Sequence, residues 1–222
     1  EDLDAARRNP GVRRALALYR LNLRTDGRRE WVYTIRTMND RELLAAAELA
    51  RQAEIPDRAI NTADRTQVQH NFALRYLAPY RDVFSTHAEE HELDEYWVLG
   101  LVRQESRFIA DAKSSAGAGG LMQLMPRTAR WTARKIGMKD FRRRDVTDVE
   151  TNITLGTSYL KLVLDELGHP VLATAGYNAG PGRARRWRDA KPLEGAIYIE
   201  TIPFDETRDY VKKVMANAVF YA

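Results

Sequence analysis

Asp94-Glu95-Tyr96-Trp97-Val98-Leu99-Gly100-Leu101-Val102-Arg103-Gln104-Glu105-Ser106-Arg107-Phe108-Ile109 sets Trp97, Val98, Leu101 and Val102 in one apolar stripe at helical spacing, which Phe108 and Ile109 continue. A helix from about Asp94 to Phe108 is expected. Glu105 lies four residues after Leu101 and three before Phe108, inside that stripe, while Arg103, Gln104 and Arg107 point elsewhere. A carboxylate on a buried face near a helix C-terminus is desolvated and meets the unfavourable end of the dipole. Both effects favour the protonated form, so the pKa should rise, as a general acid at neutral pH requires. The competing arrangement places Glu105 at the stripe's edge, paired with Arg103 or Arg107 across solvent. The bare pattern favours that second arrangement.

Outward from this stretch the periodicity stays helical. Upstream, Pro10 opens a helix to about Leu23, and Asp26-Gly27 is expected to break it. Trp31, Val32, Ile35 and Met38 recur at helical spacing until Asn39-Asp40 caps a helix with Leu43, Leu44, Ala47 and Leu49 on its inner face. Pro56 opens another short helix. Antiparallel helix pairs of this kind suit a fragment of a helical array, although no repeated motif is present. The polar stretch Ser85–Glu95 is expected to separate this region from the next. Downstream, Pro126 opens a helix ending near Gly137. Thr147-Asp148-Val149-Glu150 has the form of a capping box. It precedes a long helix with Ile153, Leu155, Tyr159, Leu160, Val163, Leu164 and Leu167 on one side, stopped by Gly168 and Pro170. Val171–Asn178 is a short helix, Ile197-Tyr198-Ile199 reads as extended, and a last helix starts near Asp205. The expected class is all-α, with at most a very small β-sheet.

Composition narrows the functions. The chain has 222 residues, 44% of them apolar and 9% aromatic, enough for a sizeable core. No apolar run reaches the roughly 20 residues of a membrane span. With no Cys, disulfides, thiolate metal sites and cysteine nucleophiles are excluded. The net charge of +4 is spread out apart from Arg183, Arg185, Arg186 and Arg188, unlike the concentrated charge of a nucleic-acid binder. The start at Glu1, with neither initiator Met nor leader, reads as a processed or excised piece of a longer protein.

Two further stretches can carry chemistry. Ser114-Ser115-Ala116-Gly117-Ala118-Gly119-Gly120 lets backbone approach a ligand or another helix closely, and Leu121-Met122-Gln123-Leu124-Met125-Pro126 follows it. No Gly-Lys-Ser/Thr is present, so a phosphate loop fits poorly. Tyr177-Asn178-Ala179-Gly180 pairs an aromatic with an amide at a helix end, where a plain C-cap is the ordinary explanation. His87-Ala88-Glu89-Glu90-His91 matches the H-x-x-E-H pattern of some zinc peptidases. Its polar surroundings favour a solvated linker instead. Asn152-Ile153-Thr154 fits a glycosylation pattern but falls within an amphipathic helix.

In order, these pieces resemble the soluble lytic transglycosylases of the bacterial cell envelope, family 1 of that class. Arg103-Gln104-Glu105-Ser106 resembles the motif holding the only catalytic acid. Ser115–Pro126 resembles the second motif, and Ala175-Gly176-Tyr177-Asn178-Ala179-Gly180-Pro181-Gly182 the third, with Gly176 where the family usually has Ala. Glu200-Thr201-Ile202-Pro203-Phe204-Asp205-Glu206-Thr207-Arg208-Asp209-Tyr210-Val211 resembles the fourth. The resemblance covers residues 95–221.

What this implies is a goose-lysozyme-like helical catalytic domain over residues 81–222, preceded over residues 1–80 by a linker to a larger helical ring. It implies cleavage of the β-1,4 bond between N-acetylmuramic acid and N-acetylglucosamine in peptidoglycan without water, giving 1,6-anhydromuramic acid. Glu105 is the expected catalytic acid and base. Ser114, Gln123, Met125, Tyr177, Asn178, Glu200 and Tyr210 are the expected substrate-binding residues, with Tyr177 holding Glu105 through its hydroxyl and Glu200 in an electrostatic or hydrogen-bonding role. No cofactor, metal or nucleic acid is implied. A monomer in the periplasm is expected, with wall-synthesis or division proteins as partners for the helical region. The alternatives are a goose-type lysozyme that admits water, a non-catalytic glycan-binding scaffold, and the zinc peptidase.

Overall fold

The long apolar periods of the chain become helices, and at Asn9, Asn39, Asn71, Asp94, Asp148, His169 and Glu194 a side chain accepts from the free N–H groups of a helix start. The computed structural model describes residues 1–188, 191 and 193–222. Two compact units follow one another, Glu1–Pro79 and Tyr80–Ala222.

The first unit contains α1 (Asp2–Arg8), α2 (Pro10–Arg20), α3 (Arg24–Thr34), α4 (Asp40–Gln52), α5 (Pro56–Ala63) and α6 (Phe72–Arg75). Asn9 caps α2, its side chain accepting from the N–H groups of Gly11 and Val12. Asn39 and Glu42 form a reciprocal capping box at α4, which fixes where the chain turns. The inward faces share a core of Val12, Ala15, Trp31, Ile35, Leu43, Ala46 and Leu49. Trp31 is fully buried, and its indole donates to Thr62 Oγ1 at 2.9 Å. Asp26-Gly27, expected as a break, lies inside α3. The turn falls earlier, at Leu21–Leu23, where Asn22 takes a left-handed conformation at φ 57°. Asn tolerates that geometry better than most residues.

The second unit contains α7 (Arg81–Glu90), α8 (Glu95–Ser106), α9 (Pro126–Lys135), α10 (Val149–Leu167), α11 (Pro170–Ala179), α12 (Pro181–Arg186), α13 (Gly195–Thr201) and α14 (Asp205–Tyr221). The fold is all-α. Among the described residues, β-structure is limited to two isolated bridges, Lys113 with Gly119 and Gly119 with Leu124. No described helix is long and apolar enough to cross a membrane.

Three local expectations are corrected here. The polar Ser85–Glu95 stretch is largely α7, a helix of the second unit that buries Phe84 and Ala88. At α10 the cap is Asp148, whose carboxylate accepts from Thr151 N–H at 2.9 Å. Thr147 sits in the preceding 3-10 turn and its hydroxyl donates to Arg144. Ile197-Tyr198-Ile199 is helical within α13, because Glu194 accepts from the N–H groups of Ala196 and Ile197.

Around α8 the second unit is closed by direct ties. Trp97 donates its indole N–H to Thr174 Oγ1 on α11 at 2.9 Å. On another side α14 approaches closely at Gly100, where a Cβ would lie 2.8 Å from Ala218 N and Val214 O. Only a residue without a side chain allows that backbone contact. Arg103, expected to point outward, is buried instead, and its guanidinium donates to Asn217 Oδ1 at 2.9 Å. Asn217 in turn donates to Gly100 O.

Candidate active site

The α8–α14 contact brings together residues far apart in sequence. Asp94 caps α8 by accepting from Trp97 N–H at 2.8 Å, and the helix ends at Arg107 in a left-handed conformation. Glu105 therefore sits in the last turn. The Tyr210 hydroxyl, carried by α14, donates to Glu105 Oε1 at 2.6 Å. Burial pushes the Glu105 carboxyl up from 4.5 to about 7, and the Tyr210 hydrogen bond opposes part of that rise. Tyr210 and Tyr177 are both shielded from water and both feel the Glu105 charge, so both hydroxyls stay protonated far above their ordinary value. The site thus holds a carboxyl that is part protonated and part ionised near neutral pH, within a frame of neutral hydroxyls.

The bond expected from Tyr177 comes from Tyr210. The Tyr177 hydroxyl donates instead to Met122 O at 2.8 Å, and its ring lies 5.3 Å from that of Tyr159. Tyr177 therefore ties α11 to the glycine-rich loop while remaining near Glu105.

That loop is held by a residue whose role was not anticipated. Asn152, fully buried on α10, accepts from Met122 N–H at 2.8 Å and donates to Gly119 O and Val146 O. Gly120 passes over it at φ +80°, where a Cβ would lie 2.1 Å from Asn152 Nδ2. The available signal was an amide on the apolar face of α10, which a packed helix tolerates only when its hydrogen bonds are met.

The other expected site residues are distributed as follows. Ser114 is exposed, and its Oγ accepts from Ala118 N–H at 3.0 Å, closing the first loop turn. Gln123 takes φ 46°, and its side-chain amide donates to Ala112 O and Gly120 O. Met125 is 43% exposed. Asn178 accepts from Thr207 Oγ1 at 2.8 Å, linking the end of α11 to the start of α14. Glu200 is exposed and pairs with Lys212 at 2.6 Å.

The histidine pattern is absorbed by packing. His87 Nε2 lies 3.0 Å from Glu150 Oε1 and His91 Nε2 3.1 Å from Ser158 Oγ, both across to α10. Burial, then His87, pushes His91 below its ordinary value. Among the described residues no group of three or more His, Asp or Glu side chains could hold a metal ion.

Residues 82–198 match the transglycosylase SLT domain. The chain belongs to the SLT transglycosylase family. Residues 5–68 match the soluble lytic murein transglycosylase L domain, and residues 201–222 the soluble lytic transglycosylase helical domain. The soluble lytic murein transglycosylase of Salmonella typhimurium is 33% identical over 98% of this chain and 34% of its own length. An inactive glutamate-to-glutamine mutant of the lytic transglycosylase Slt from Pseudomonas aeruginosa superposes with a TM-score of 0.91 at 38% identity, over 99% of this chain and 36% of that one. The 70 kDa soluble lytic transglycosylase of Escherichia coli gives 0.84 at 32% identity, over 98% and 36%. This SLT-family chain spans about a third of the length of the curated relatives it matches.

Proposed function

We propose that this chain carries the catalytic centre of a peptidoglycan lytic transglycosylase, which cuts the β-1,4 bond between N-acetylmuramic acid and N-acetylglucosamine and leaves a 1,6-anhydro ring. The observation that carries this reading is one shielded carboxyl, Glu105, poised at a pKa of about 7 and hydrogen-bonded by Tyr210.

Two proton transfers of opposite sense are needed. Protonated Glu105 gives its proton to the glycosidic oxygen as the bond from C1 to that oxygen breaks, and N-acetylglucosamine leaves as an alcohol. The muramyl O6 hydroxyl then adds its oxygen to C1 and returns its proton to the Glu105 carboxylate. No water is consumed and the acid is regenerated. A group with a pKa near the working pH serves both steps. Burial makes it a strong enough base, and the Tyr210 hydroxyl steadies it while ionised. A standard glycosidase places a second carboxylate within about 5–9.5 Å of the first. Here Glu200 is engaged by Lys212, so the substrate's own acetamido group is assigned the stabilisation of the positive C1. Gln123, Met125, Tyr177, Asn178 and Ser114 line the cleft in this reading. Residues 1–80 act as the linker to a larger helical array, and the protein works in the bacterial envelope.

Glu105→Gln keeps size and hydrogen-bonding capacity but cannot transfer the proton. Release of anhydro-muropeptides from purified sacculi should fall about 100- to 10,000-fold, while sedimentation with sacculi persists. Mass spectrometry identifies the product, because the anhydro end is lighter than a hydrolysed one by a water. Parent-rate digestion by the variant, or a reducing-end product from the wild type, overturns the reading.

A further inference from the structure

In the reading above Met125 lines the cleft, and helix α9 carries the same face onward from it. Ala129, Thr132 and Ala133 are the buried side of this helix. Thr128, Trp131 and Lys135 follow Met125 at intervals of three, three and four residues, the spacing of a single helix face. At about 1.5 Å of rise per residue, Trp131 stands about 9 Å along the axis from Met125, and Lys135 about 15 Å. The face is open to solvent, and Trp131 is 39% exposed.

Aromatic rings connect the middle of this face to the acid. The Trp131 ring lies 6.3 Å from that of Tyr159, with the two planes at 88°. Tyr159 in turn lies 5.3 Å from Tyr177, which is near enough to Glu105 to feel its charge. The perpendicular contact fixes the direction of the indole, and the Lys135 ammonium stands over the indole at 5.7 Å. An exposed ring already held in place loses little freedom when a ligand settles on it. A sugar ring offers a flat patch of C–H groups with polar groups round its rim. The indole matches the patch, while the Lys135 ammonium and the Thr128 hydroxyl supply donors for hydroxyl and acetamido oxygens at the rim.

We propose that the α9 face from Met125 through Thr128 to Trp131 and Lys135 is a distal sugar subsite, where the Trp131 indole stacks on a ring of the glycan strand beyond those next to the cut bond. The proposal rests on the peptidoglycan reading above. Its consequence is a preference for long strands over short ones, set by Trp131.

Two measurements separate this proposal from the parent reading. In the first, the Glu105→Gln protein is titrated with a peptide-free glycan octasaccharide and with the tetrasaccharide, following the Trp131 indole N–H by NMR. The octasaccharide should move that resonance and the tetrasaccharide should not. Affinity for the octasaccharide should fall about tenfold when Trp131→Ala is added, the loss of one aromatic stack, and should be largely kept with Trp131→Phe. In the second, kcat/KM for anhydro-product release is compared on the two lengths with Glu105 intact. The ratio of octasaccharide to tetrasaccharide should fall about tenfold in Trp131→Ala, through KM rather than kcat, and return in Trp131→Phe. Were Trp131 merely packing on Tyr159, both lengths would suffer alike. An equal loss on both lengths, or an indole resonance that the octasaccharide leaves unmoved, overturns the proposal. If octasaccharide binding depends on Trp131 as described but neither length yields anhydro product, the parent reading fails and the sugar subsite stands.

Discussion

Replacing Tyr210 by Phe isolates what one hydroxyl contributes to the acid at position 105. Raising a carboxyl from 4.5 to about 7 corresponds to about 3 kcal/mol of preference for the protonated form. That net value already includes the opposing effect of the 2.6 Å bond from Tyr210. A hydrogen bond to an ionised acceptor contributes about 1.5–3 kcal/mol, so its loss should move the Glu105 pKa further up by about one to two pH units. The sign follows from which form the bond favours: it stabilises the carboxylate, so deleting it strengthens the proton's hold. Because free enzyme must present the protonated acid, kcat/KM declines above this pKa. In Tyr210→Phe the alkaline limb should therefore move to higher pH by about one to two units. The assay is anhydro-muropeptide release from sacculi between pH 5 and 9, with near-UV circular dichroism checking that α14 stays docked. A limb that is unmoved, or that moves toward acid, refutes the assignment of this bond to the ionised carboxyl.

Glu105 should also cost the fold stability in a pH-dependent way. Its folded pKa lies above the ordinary 4.5, so the penalty is absent below that value, grows as pH rises toward 7 and is complete above it. Glu105→Gln should then raise the melting temperature by about 5 °C or more at pH 8 and leave it nearly unchanged at pH 4, as calorimetry would report. Equal shifts at both pH values would contradict the burial argument. Asn152→Ala leaves the Met122 N–H and the Gly119 and Val146 carbonyls without their buried partner. We expect a loss of about 2–4 kcal/mol, read from the urea midpoint, together with weaker binding of glycan by the loop carrying Gln123 and Met125.

The helical class was legible because α8 carries its apolar residues at one unbroken period. That period left Glu105 either buried or at the stripe's edge and favoured the edge, so its burial was legible only through the resemblance. The parts that were not legible share a physical cause. Tyr210 could be named as a cleft residue only by resemblance, since nothing local says which hydroxyl meets a carboxyl on another helix. The α7 segment read as a linker because Phe84 and Ala88 are too thin a stripe to register among so many polar neighbours. At Ile197–Ile199 the β-branched residues favour extension locally, and the Glu194 cap overrides them. Arg103 looked solvent-facing because charge usually is. Its burial depends on Asn217, which α14 delivers from the far end of the chain.

The interlocked crossing at Gly100 also sets an order of events. Glu105 and Tyr210 are 105 positions apart, and the backbones of α8 and α14 must touch before either residue finds the other. A growing polypeptide therefore emerges with α8 formed locally and its acid still wet, titrating like any surface glutamate. Reactivity switches on only at the long-range docking step, which is the slow kind of event in folding. On the function proposed above, cutting of the wall would have to wait until α14 has docked.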